Sequence, residues 1–288
     1  MKDEKHSHKN ANAGSADDGF FSRVEIPYEK DREEVWDMLQ SKLAERPAGK
    51  VRRMHKRVML MALAASVLIL LGWAGFMRYY TETVATPAGI HQTAQLPDGS
   101  TVELNAESSI RFHPYWWRFS RSVALEGEGF FRITKGRRLE VLSKNGKTVV
   151  LGTSFNIFAR GERYKVTCMT GRVKVVSVTE KEVILTPDYH AEIDAEGNIT
   201  VKKLDKPEVT NQWMHNMFSF TATPFAEVIA EVERQYGIIV GTNKNFNYKY
   251  TGYFSRNKPV EQVLDLLCKP FGLTFVRKSA KEYLIVQK

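Results

Sequence analysis

The sequence predicts a single-pass membrane protein with four parts: a short helical segment, one membrane-spanning helix, an all-β domain built as a sandwich or roll of stacked hairpins, and a small α+β domain. Three observations predict this order. A run of twenty residues, 58–77, contains no ionisable side chain. Alternating apolar residues and turn signals fill residues 88–205, and two strand–helix–strand patterns follow them.

The apolar run extends from Val58 to Met77. At about 1.5 Å per residue, a helix of this length spans the roughly 30 Å hydrocarbon core of a bilayer. A cleaved signal peptide would be shorter and lie at the extreme N-terminus, and a long core helix would carry a polar stripe. We therefore expect a transmembrane helix. Trp73, Tyr79 and Tyr80 lie where its outer aromatic belt is expected.

Basic residues flank this span unequally. Arg52, Arg53, Lys56 and Arg57 precede it, whereas Arg78 alone follows immediately. Because positively charged flanks are retained in the cytoplasm, we expect the N-terminal part to be cytoplasmic and the remainder extracytoplasmic.

The net charge of +9 and the pI of about 9.4 raise the question of nucleic-acid binding. Residues 1–57 contain 13 basic and 11 acidic residues, and the other basic residues are scattered among predicted strands without forming a stripe. Basic residues beside a span are explained by topology and by anionic lipid. We therefore expect contact with inner-membrane lipid and no direct contact with nucleic acid.

The cytoplasmic segment is predicted to comprise residues 1–57. Residues 1–19 are polar and lack apolar periodicity, which predicts disorder. An amphipathic helix is predicted over residues 31–46, where Asp31 and Glu34 have the spacing of a capping box. One face of this helix carries four apolar residues: Val35, Trp36, Leu39 and Leu43.

Nothing else in the cytoplasmic segment offers a core that could cover this apolar face. One interpretation is a helix lying on the bilayer surface, which Lys42 and Arg46 would favour. Acidic Glu33, Glu34 and Asp37 disfavour an anionic lipid surface. We therefore prefer the interpretation that the face fills a groove on a cytoplasmic partner.

A linker is expected at residues 78–87, followed by the all-β domain at residues 88–205. Three turn signals predict tight hairpins: Pro97-Asp98-Gly99, Asn145-Gly146 and Glu196-Gly197-Asn198. No helix is predicted here apart from a short turn near Tyr115-Trp116-Trp117.

The α+β domain is expected at residues 206–288. Its first helix should begin at Thr223-Pro224 and end at Gly237, and its second should begin near Pro259 and end at Cys268. The predicted buried faces are Phe225, Val228, Ile229 and Val232 in the first helix, and Val260, Val263, Leu264 and Leu267 in the second.

No residue pattern predicts catalysis, a metal site or a cofactor. The seven histidines lack ligand spacing, and no Ser–His–Asp grouping is evident. Glu126 and Glu128 are two residues apart, as on one strand face, which a solvated face or a structural hydrogen bond explains more simply than catalysis. Cys168 and Cys268 fall in separate domains and are expected to be buried free thiols.

Four stretches in order resemble the FecR family of anti-sigma regulators, in the form common in Bacteroidetes: Leu96–Ile110, Arg121–Ile133, Val150–Val175 and Phe218–Ile238. The resemblance covers most of residues 88–288. Its C-terminal module looks like the short N-terminal domains of secretins and TonB-dependent receptors. There are two departures: Gly129 stands where the family usually has alanine, and the stretch after Trp213 lacks a frequent glycine.

The resemblance implies a bacterial inner-membrane protein with a periplasmic C-terminal part. Such a protein holds an extracytoplasmic-function sigma factor through its cytoplasmic N-terminus, here through Val35, Trp36, Leu39 and Leu43. Its periplasmic part senses an outer-membrane TonB-dependent transducer, and a membrane protease completes the signal through regulated proteolysis. The alternative is a membrane-tethered periplasmic ligand-binding or structural module without a sigma partner, in which Tyr115-Trp116-Trp117 would form an aromatic platform for sugar.

Overall fold

The structure is a computed structural model that describes residues 31–44, 50–244 and 246–287, with the backbone alone for residues 50–54. Several expectations lie outside the described residues: the disorder of residues 1–19, the end of the first helix at residues 45–46, and the side chains of Arg52 and Arg53. The chain divides into two units, residues 1–68 and 69–288.

Helix α1 comprises Arg32–Ala44 and helix α2 comprises Lys50–Tyr79. The backbone N–H of Val35 donates to the carbonyl oxygen of Asp31, which closes the first turn of α1. Within α2, residues His55–Tyr79 are long and apolar enough to cross a membrane, and their side chains are not buried in the described structure. The helix therefore extends slightly beyond both ends of the predicted span.

Thirteen strands follow within the described residues. They are β1 Glu82–Thr86, β2 Gln92–Gln95, β3 Thr101–Leu104, β4 Ser108–Phe112, β5 Arg121–Arg132, β6 Leu139–Ser143, β7 Gly146–Val150, β8 Ser154–Arg160, β9 Arg163–Thr170, β10 Val173–Ser177, β11 Glu182–Leu185, β12 Tyr189–Ile193 and β13 Ile199–Lys203. Strand β1 lies within residues 78–87, where we expected a linker. It is a strand because all five of its residues pair with β4.

Strand β5 belongs to two sheets at once. Its first half pairs with β4 and β6 in a sheet of order β11-β10-β7-β6-β5-β4-β1, here called sheet 1. Its second half pairs with β3 and β8 in sheet 2, whose order is β2-β3-β5-β8-β9-β12-β13. All neighbours in these sheets are antiparallel except β5 and β6. The β-rich domain predicted from the alternating pattern is therefore present.

Gly127 lies where β5 passes from one sheet to the other. Its φ is +96°, a conformation that favours glycine. A Cβ atom at this position would lie 2.5 Å from the Ser108 Oγ and 2.7 Å from the Ser108 Cα. The bend therefore requires a residue without a side chain, both for its backbone conformation and for the close approach of β4.

One apolar core joins the two sheets. Its fully buried large side chains include Phe112, Leu125 and Leu139 from sheet 1 and Phe131, Phe155 and Ile157 from sheet 2. The rings of Phe131 and Phe155 stack with centroids 5.1 Å apart. The Tyr164 hydroxyl, which is also buried, shares a 2.7 Å hydrogen bond with the Thr148 hydroxyl. Because both sheets contribute to one core, this domain folds as a unit.

The three predicted hairpins are confirmed, with one change in a turn. Gly99 and Gly197 both have φ of +79° in their turns. At the second hairpin Ser143 pairs with Gly146, so the two turn residues are Lys144 and Asn145. Gly146 itself is the first residue of β7 and has no room for a side chain, because a Cβ would lie 2.8 Å from the Tyr164 ring.

The remaining elements form the α+β domain. A 3-10 helix, Pro207–His215, leads into β14 Met217–Pro224, α3 Phe225–Tyr236, β15 Ile239–Thr242, β16 Lys249–Ser255, α4 Val260–Cys268, a short 3-10 turn Lys269–Phe271, β17 Leu273–Arg277 and β18 Glu282–Gln287. Strands β14 and β16 form a two-stranded antiparallel sheet. Strand β18 lies between β15, which is parallel to it, and β17, which is antiparallel.

Both helices of this domain bury the predicted faces. Phe225, Val228, Ile229 and Val232 are buried, as are Val263, Leu264 and Leu267, and Val260 is half-buried. Helix α3 begins one residue later than predicted, because Pro224 ends β14 and serves as the N-cap. It ends at Gly237, as predicted. Asn216 has φ of +55° at the end of the 3-10 helix, a left-handed conformation that asparagine tolerates better than most residues.

One end of sheet 1 lies beside the end of helix α2. Two residues separate Tyr79 from β1, and the register brings the start of β1, the end of β4 and the starts of β5 and β6 to the same level. Loops 113–120 and 133–138 are therefore at this end, here called the helix-proximal end. At the opposite, distal end, the Gly89 N–H donates to the Arg234 carbonyl oxygen at 2.7 Å, so the α+β domain joins the β domain there.

We predict that Gly127→Ala lowers the free energy of unfolding of the β domain by roughly 3 kcal/mol, because the new methyl group requires both a strained φ and displacement of β4. The measurement is urea unfolding of the full chain in detergent micelles, followed by tryptophan fluorescence.

Gly129→Ala is the matched control on the same strand. Gly129 has no strained φ, and its Cβ would lie 3.3 Å from the Phe131 ring and 3.4 Å from the Val102 Cγ1. We expect this variant to unfold within about 1 kcal/mol of wild type. Equal stability of the two variants would contradict the role assigned to Gly127.

Candidate functional site

The first candidate surface is the apolar face of helix α1. Trp36 is 64% exposed, Leu39 and Leu43 are also exposed, and Val35 is half-buried. In the described part of the chain, no residue of α1 is buried. The helix forms as predicted, and its four predicted contact residues lie on the surface without a described covering element. A large exposed aromatic beside aliphatic side chains is typical of a protein-binding helix.

The second candidate site is a buried polar network between the β domain and the α+β domain. At its centre, Glu128 is 7% exposed. The Asn105 and Asn156 side-chain amides each donate to one oxygen of this carboxylate, both at 2.9 Å. Glu126, two residues earlier, is exposed. Both glutamates lie on the side of β5 that faces away from the apolar core, as expected, because Leu125 and Phe131 at alternate positions belong to that core. They differ in burial because β5 passes from sheet 1 to sheet 2 at Gly127, and only the outer face of sheet 2 is covered here.

Helix α3 reaches this network through Gln235. The Gln235 amide nitrogen donates to the Asn105 Oδ1 at 2.6 Å and to the Glu231 Oε1 at 2.8 Å. Its amide oxygen lies 2.9 Å from the His91 Nε2, which the Arg256 guanidinium also approaches at 3.3 Å. A chain of hydrogen bonds therefore extends from Glu128 through Asn105 and Gln235 to His91.

Arg256 and Trp213 complete the junction around His91. The Arg256 Nε donates to the Gln235 carbonyl oxygen at 3.1 Å, and its guanidinium also donates to the Gly89 carbonyl oxygen. The Trp213 ring meets the His91 ring edge to face, with centroids 5.2 Å apart. These contacts hold the two domains together through directional bonds as well as through apolar packing.

The environment of Glu128 favours its neutral form. Burial raises the pKa of this carboxyl to about 7, and the nearby charge of Glu231 acts in the same direction. The amides of Asn156 and Asn105 and the guanidinium of Arg160 favour the carboxylate and oppose the shift. Arg160 is held by the carbonyl oxygens of Ala106 and Glu107, at 2.6 and 2.9 Å. Glu128 therefore titrates near neutral pH in a site that joins two domains.

A cleft of about 1420 Å³ adjoins this network between the outer face of sheet 2 and helix α3. Its volume exceeds that of typical small-molecule pockets, and both acidic and basic side chains line it. One ion pair, between Arg163 of β9 and Glu227 of α3, crosses from one domain to the other. The cleft is a wide groove between domains rather than an enclosed pocket.

One of the seven histidines and both cysteines lie buried among ordinary structural contacts. His190 accepts or donates a 2.8 Å hydrogen bond with the Thr167 hydroxyl, and burial lowers its pKa to about 4. Cys168 and Cys268 are free and buried in different cores. Among the described residues, no group of three or more His, Cys, Asp or Glu side chains could hold a metal ion.

The Tyr115-Trp116-Trp117 segment is divided between core and surface. Trp117 is buried against Phe112, with ring centroids 5.9 Å apart, whereas Tyr115 is exposed. Because Trp117 is in the core and Tyr115 is on the surface, the rings of this segment do not share one open face. The segment is therefore not a flat platform of the kind that binds sugar rings.

Sequence reasoning missed most of the polar network. Asn105, Asn156 and Gln235 were not singled out, because single amide residues are common in turns and helices. One local signal was available: Glu128 stands between Gly127 and Gly129 in a strand, and flanking glycines allow another backbone to approach closely.

We predict that Glu128 makes the folded state less stable as the pH rises. Its folded pKa is above its unfolded value, so its contribution is fully present below about pH 4.5 and is lost as the pH rises through about 7. Relative to Glu128→Gln, wild type should lose stability steadily between pH 5 and pH 8. The measurement is urea unfolding of the full chain in micelles at several pH values.

His91, whose pKa is lowered by burial, is present in both proteins and so largely cancels in the comparison. Glu126→Gln, which removes an exposed carboxylate from the same strand, is the control and should retain the wild-type profile. Parallel profiles for wild type and Glu128→Gln would show that Glu128 does not titrate in this range.

Solved structures from Parabacteroides distasonis have a similar fold. Two crystal structures of a candidate anti-sigma factor from Parabacteroides distasonis ATCC 8503, at 2.50 and 1.65 Å resolution, each match with 27% sequence identity and a TM-score of 0.66. The first covers 73% of this chain and 100% of its own, and the second covers 72% and 99%. No match was found among curated proteins.

Two family models match the chain in the expected order. The model described as FecR protein matches residues 82–174, from β1 into β10, and the model described as FecR, C-terminal, matches residues 217–285, from β14 into β18. Together they match more than half of the chain. The departure at Gly129 lies inside the first match and does not interrupt it. The chain belongs to the FecR family.

Proposed function

We propose that this protein is an anti-sigma factor that crosses the bacterial inner membrane once. Its cytoplasmic N-terminal segment holds an extracytoplasmic-function sigma factor. Its periplasmic domains receive a signal from a TonB-dependent transducer in the outer membrane, and regulated proteolysis by a membrane protease completes the transfer. The observation that carries the proposal is the match to both FecR family models, together with the solved structures described as a candidate anti-sigma factor.

The exposed face of α1 supports the assignment of the sigma contact. An amphipathic helix that binds in an apolar groove of a partner buries anchor residues at spacings of three and four residues. Trp36, Leu39 and Leu43 have this spacing and are exposed in the described chain. Acidic Glu33 and Glu34 in the first turn favour a partner over an anionic lipid surface.

The position of the α+β domain supports the sensing role. The domain joins the distal end of sheet 1, opposite the end beside α2. A transducer approaching from the outer membrane would therefore meet the α+β domain first. The polar network around Glu128 and Gln235 joins that domain to the β domain, so a change in one domain alters contacts made by the other.

We predict that Trp36→Ala weakens sigma binding by roughly 2 kcal/mol, about 30-fold in Kd, because a buried aromatic anchor carries much of the binding energy. The measurement is a titration of the full chain in lipid nanodiscs with a purified extracytoplasmic-function sigma factor from the same organism. Ser41→Ala, on the opposite side of α1, is the matched control and should bind within about twofold of wild type.

If Trp36→Ala and Ser41→Ala bound the sigma factor with equal affinity, the assignment of the sigma contact to this face of α1 would be wrong. If wild type binds none of the sigma factors of this class that the organism encodes, the alternative of a membrane-tethered periplasmic module without a sigma partner is favoured instead.

The orientation is tested separately. We predict that alkaline phosphatase is active when fused after the C-terminal residue and inactive when fused before the N-terminal residue, because Arg52, Arg53, Lys56 and Arg57 retain the preceding segment in the cytoplasm. Replacing these four residues with glutamine should reduce the activity of the C-terminal fusion. The same number of glutamines at Lys144, Lys147, Lys174 and Lys181 is the control. An inactive C-terminal fusion in wild type would reverse the proposed topology.

A further inference from the structure

An aromatic cluster lies where helix α2 meets the β domain. The Tyr115 ring centroid is 5.9 Å from that of Phe76 and 5.2 Å from that of Tyr80. The His113 Nδ1 donates to the Tyr80 carbonyl oxygen at 3.0 Å. Loop 113–120, between β4 and β5, is therefore attached directly to the last turn of the helix.

The side chains of this loop point in two directions. Trp117 is buried in the core of the sandwich and anchors the loop. Tyr115 and Phe119 are exposed, by 50% and 62%, although both are large and aromatic. The Trp116 ring lies against Phe119, with centroids 4.5 Å apart. Trp117 thus anchors the loop in the core, whereas Tyr115 and Phe119 are exposed and Trp116 is half-buried beside them.

Positive charge accompanies these rings. The Arg78 guanidinium lies over the Trp116 ring, 5.4 Å from its centroid. The Arg137 guanidinium donates to the carbonyl oxygens of Arg118 and Phe119, which joins loop 133–138 to loop 113–120. Neither loop contains an acidic residue. The two loops therefore combine aromatic rings, arginine and lysine, and the carboxylate nearest to them in sequence, that of Glu140, is ion-paired with Arg138.

The helix determines the depth of this surface. Phe76 lies three residues before the end of α2, about 5 Å along the helix axis. Because Tyr115 contacts Phe76, the loop is level with the last turn of the apolar helix. The end of a membrane-crossing helix lies in the headgroup region, where tyrosine and tryptophan rings are favoured and arginine meets phosphate.

We propose that loop 113–120 is a membrane-binding surface that inserts Tyr115, Trp116 and Phe119 into the phospholipid headgroup region. The guanidinium groups of Arg78 and Arg118 then bind lipid phosphates. The inference rests on the proposed membrane crossing by α2. The lipid partner follows from continuity with the helix and from charge complementarity. With both α2 and this loop in the bilayer, the helix-proximal end of sheet 1 faces the membrane and the domain cannot swing freely about Tyr80.

The test is a depth measurement on the full chain in nanodiscs that contain anionic and zwitterionic phospholipids. A nitroxide is attached at Phe119→Cys, and its collision rates with oxygen and with a water-soluble nickel chelate are compared by electron paramagnetic resonance. We expect the ratio of oxygen to nickel collisions to be several-fold higher than in water. Cys168 and Cys268 are buried, and their pKa values are raised to about 11, so labelled wild type serves as the background control.

Three further label positions make the result interpretable. Val178→Cys is the matched control: it is 59% exposed and follows Ser177, which pairs with Gly146 at the distal end of sheet 1. Its nitroxide should be fully accessible to nickel. Leu70→Cys lies in α2 and tests the membrane crossing itself. A label at Arg118→Cys repeats the measurement in the same loop without altering an aromatic side chain.

The outcomes separate the two proposals. In one outcome, the label at Leu70 is in the acyl region, but the labels at Phe119 and Arg118 are as accessible to nickel as the label at Val178. This outcome would overturn the loop proposal and leave the membrane crossing in place. If the label at Leu70 is in water, both fail. Labels at Phe119 and Arg118 near the headgroup level, with Val178 in water, support the proposal.

Discussion

The architecture of this protein depends on the bend in strand β5. A single twelve-residue strand supplies both sheets, so the two layers are connected covalently at the centre of the sandwich as well as at its edges. Gly127 makes this possible because it adopts a positive φ and lets Ser108 approach closely. The Ser108 Oγ then accepts the backbone N–H of Glu128, which satisfies a buried donor at the bend.

The same bend exposes one glutamate and buries another. Residues before Gly127 belong to sheet 1 and those after it to sheet 2, so Glu128 lies on the outer face of sheet 2, where Asn105 and Asn156 bond its carboxylate beside helix α3. A buried carboxyl is costly unless it is hydrogen-bonded or neutral, and here both conditions contribute. The strand bend thus produces the polar centre to which the α+β domain is attached.

Features that depend on local pattern were predictable from the sequence. The apolar run, the three hairpins and the buried faces of α3 and α4 each follow from residues close together in the chain. The polar network does not, since Asn105 and Gln235 are 130 residues apart and neither belongs to a recognisable motif. Strand β1 was also unpredictable, because Glu82–Thr86 lacks a clear alternation and is defined by its pairing with β4.

Strand β1 makes the connection between helix α2 and the β domain short. Only two residues separate Tyr79 from Glu82, and the next five residues are paired with β4. A peptidase binds its substrate as an extended, unpaired strand, and it cleaves folded proteins mainly through transiently opened states. The backbone just beyond α2 is therefore a poor substrate in the folded protein. Cleavage in this stretch requires β1 to leave β4, so its rate would report the opening of sheet 1.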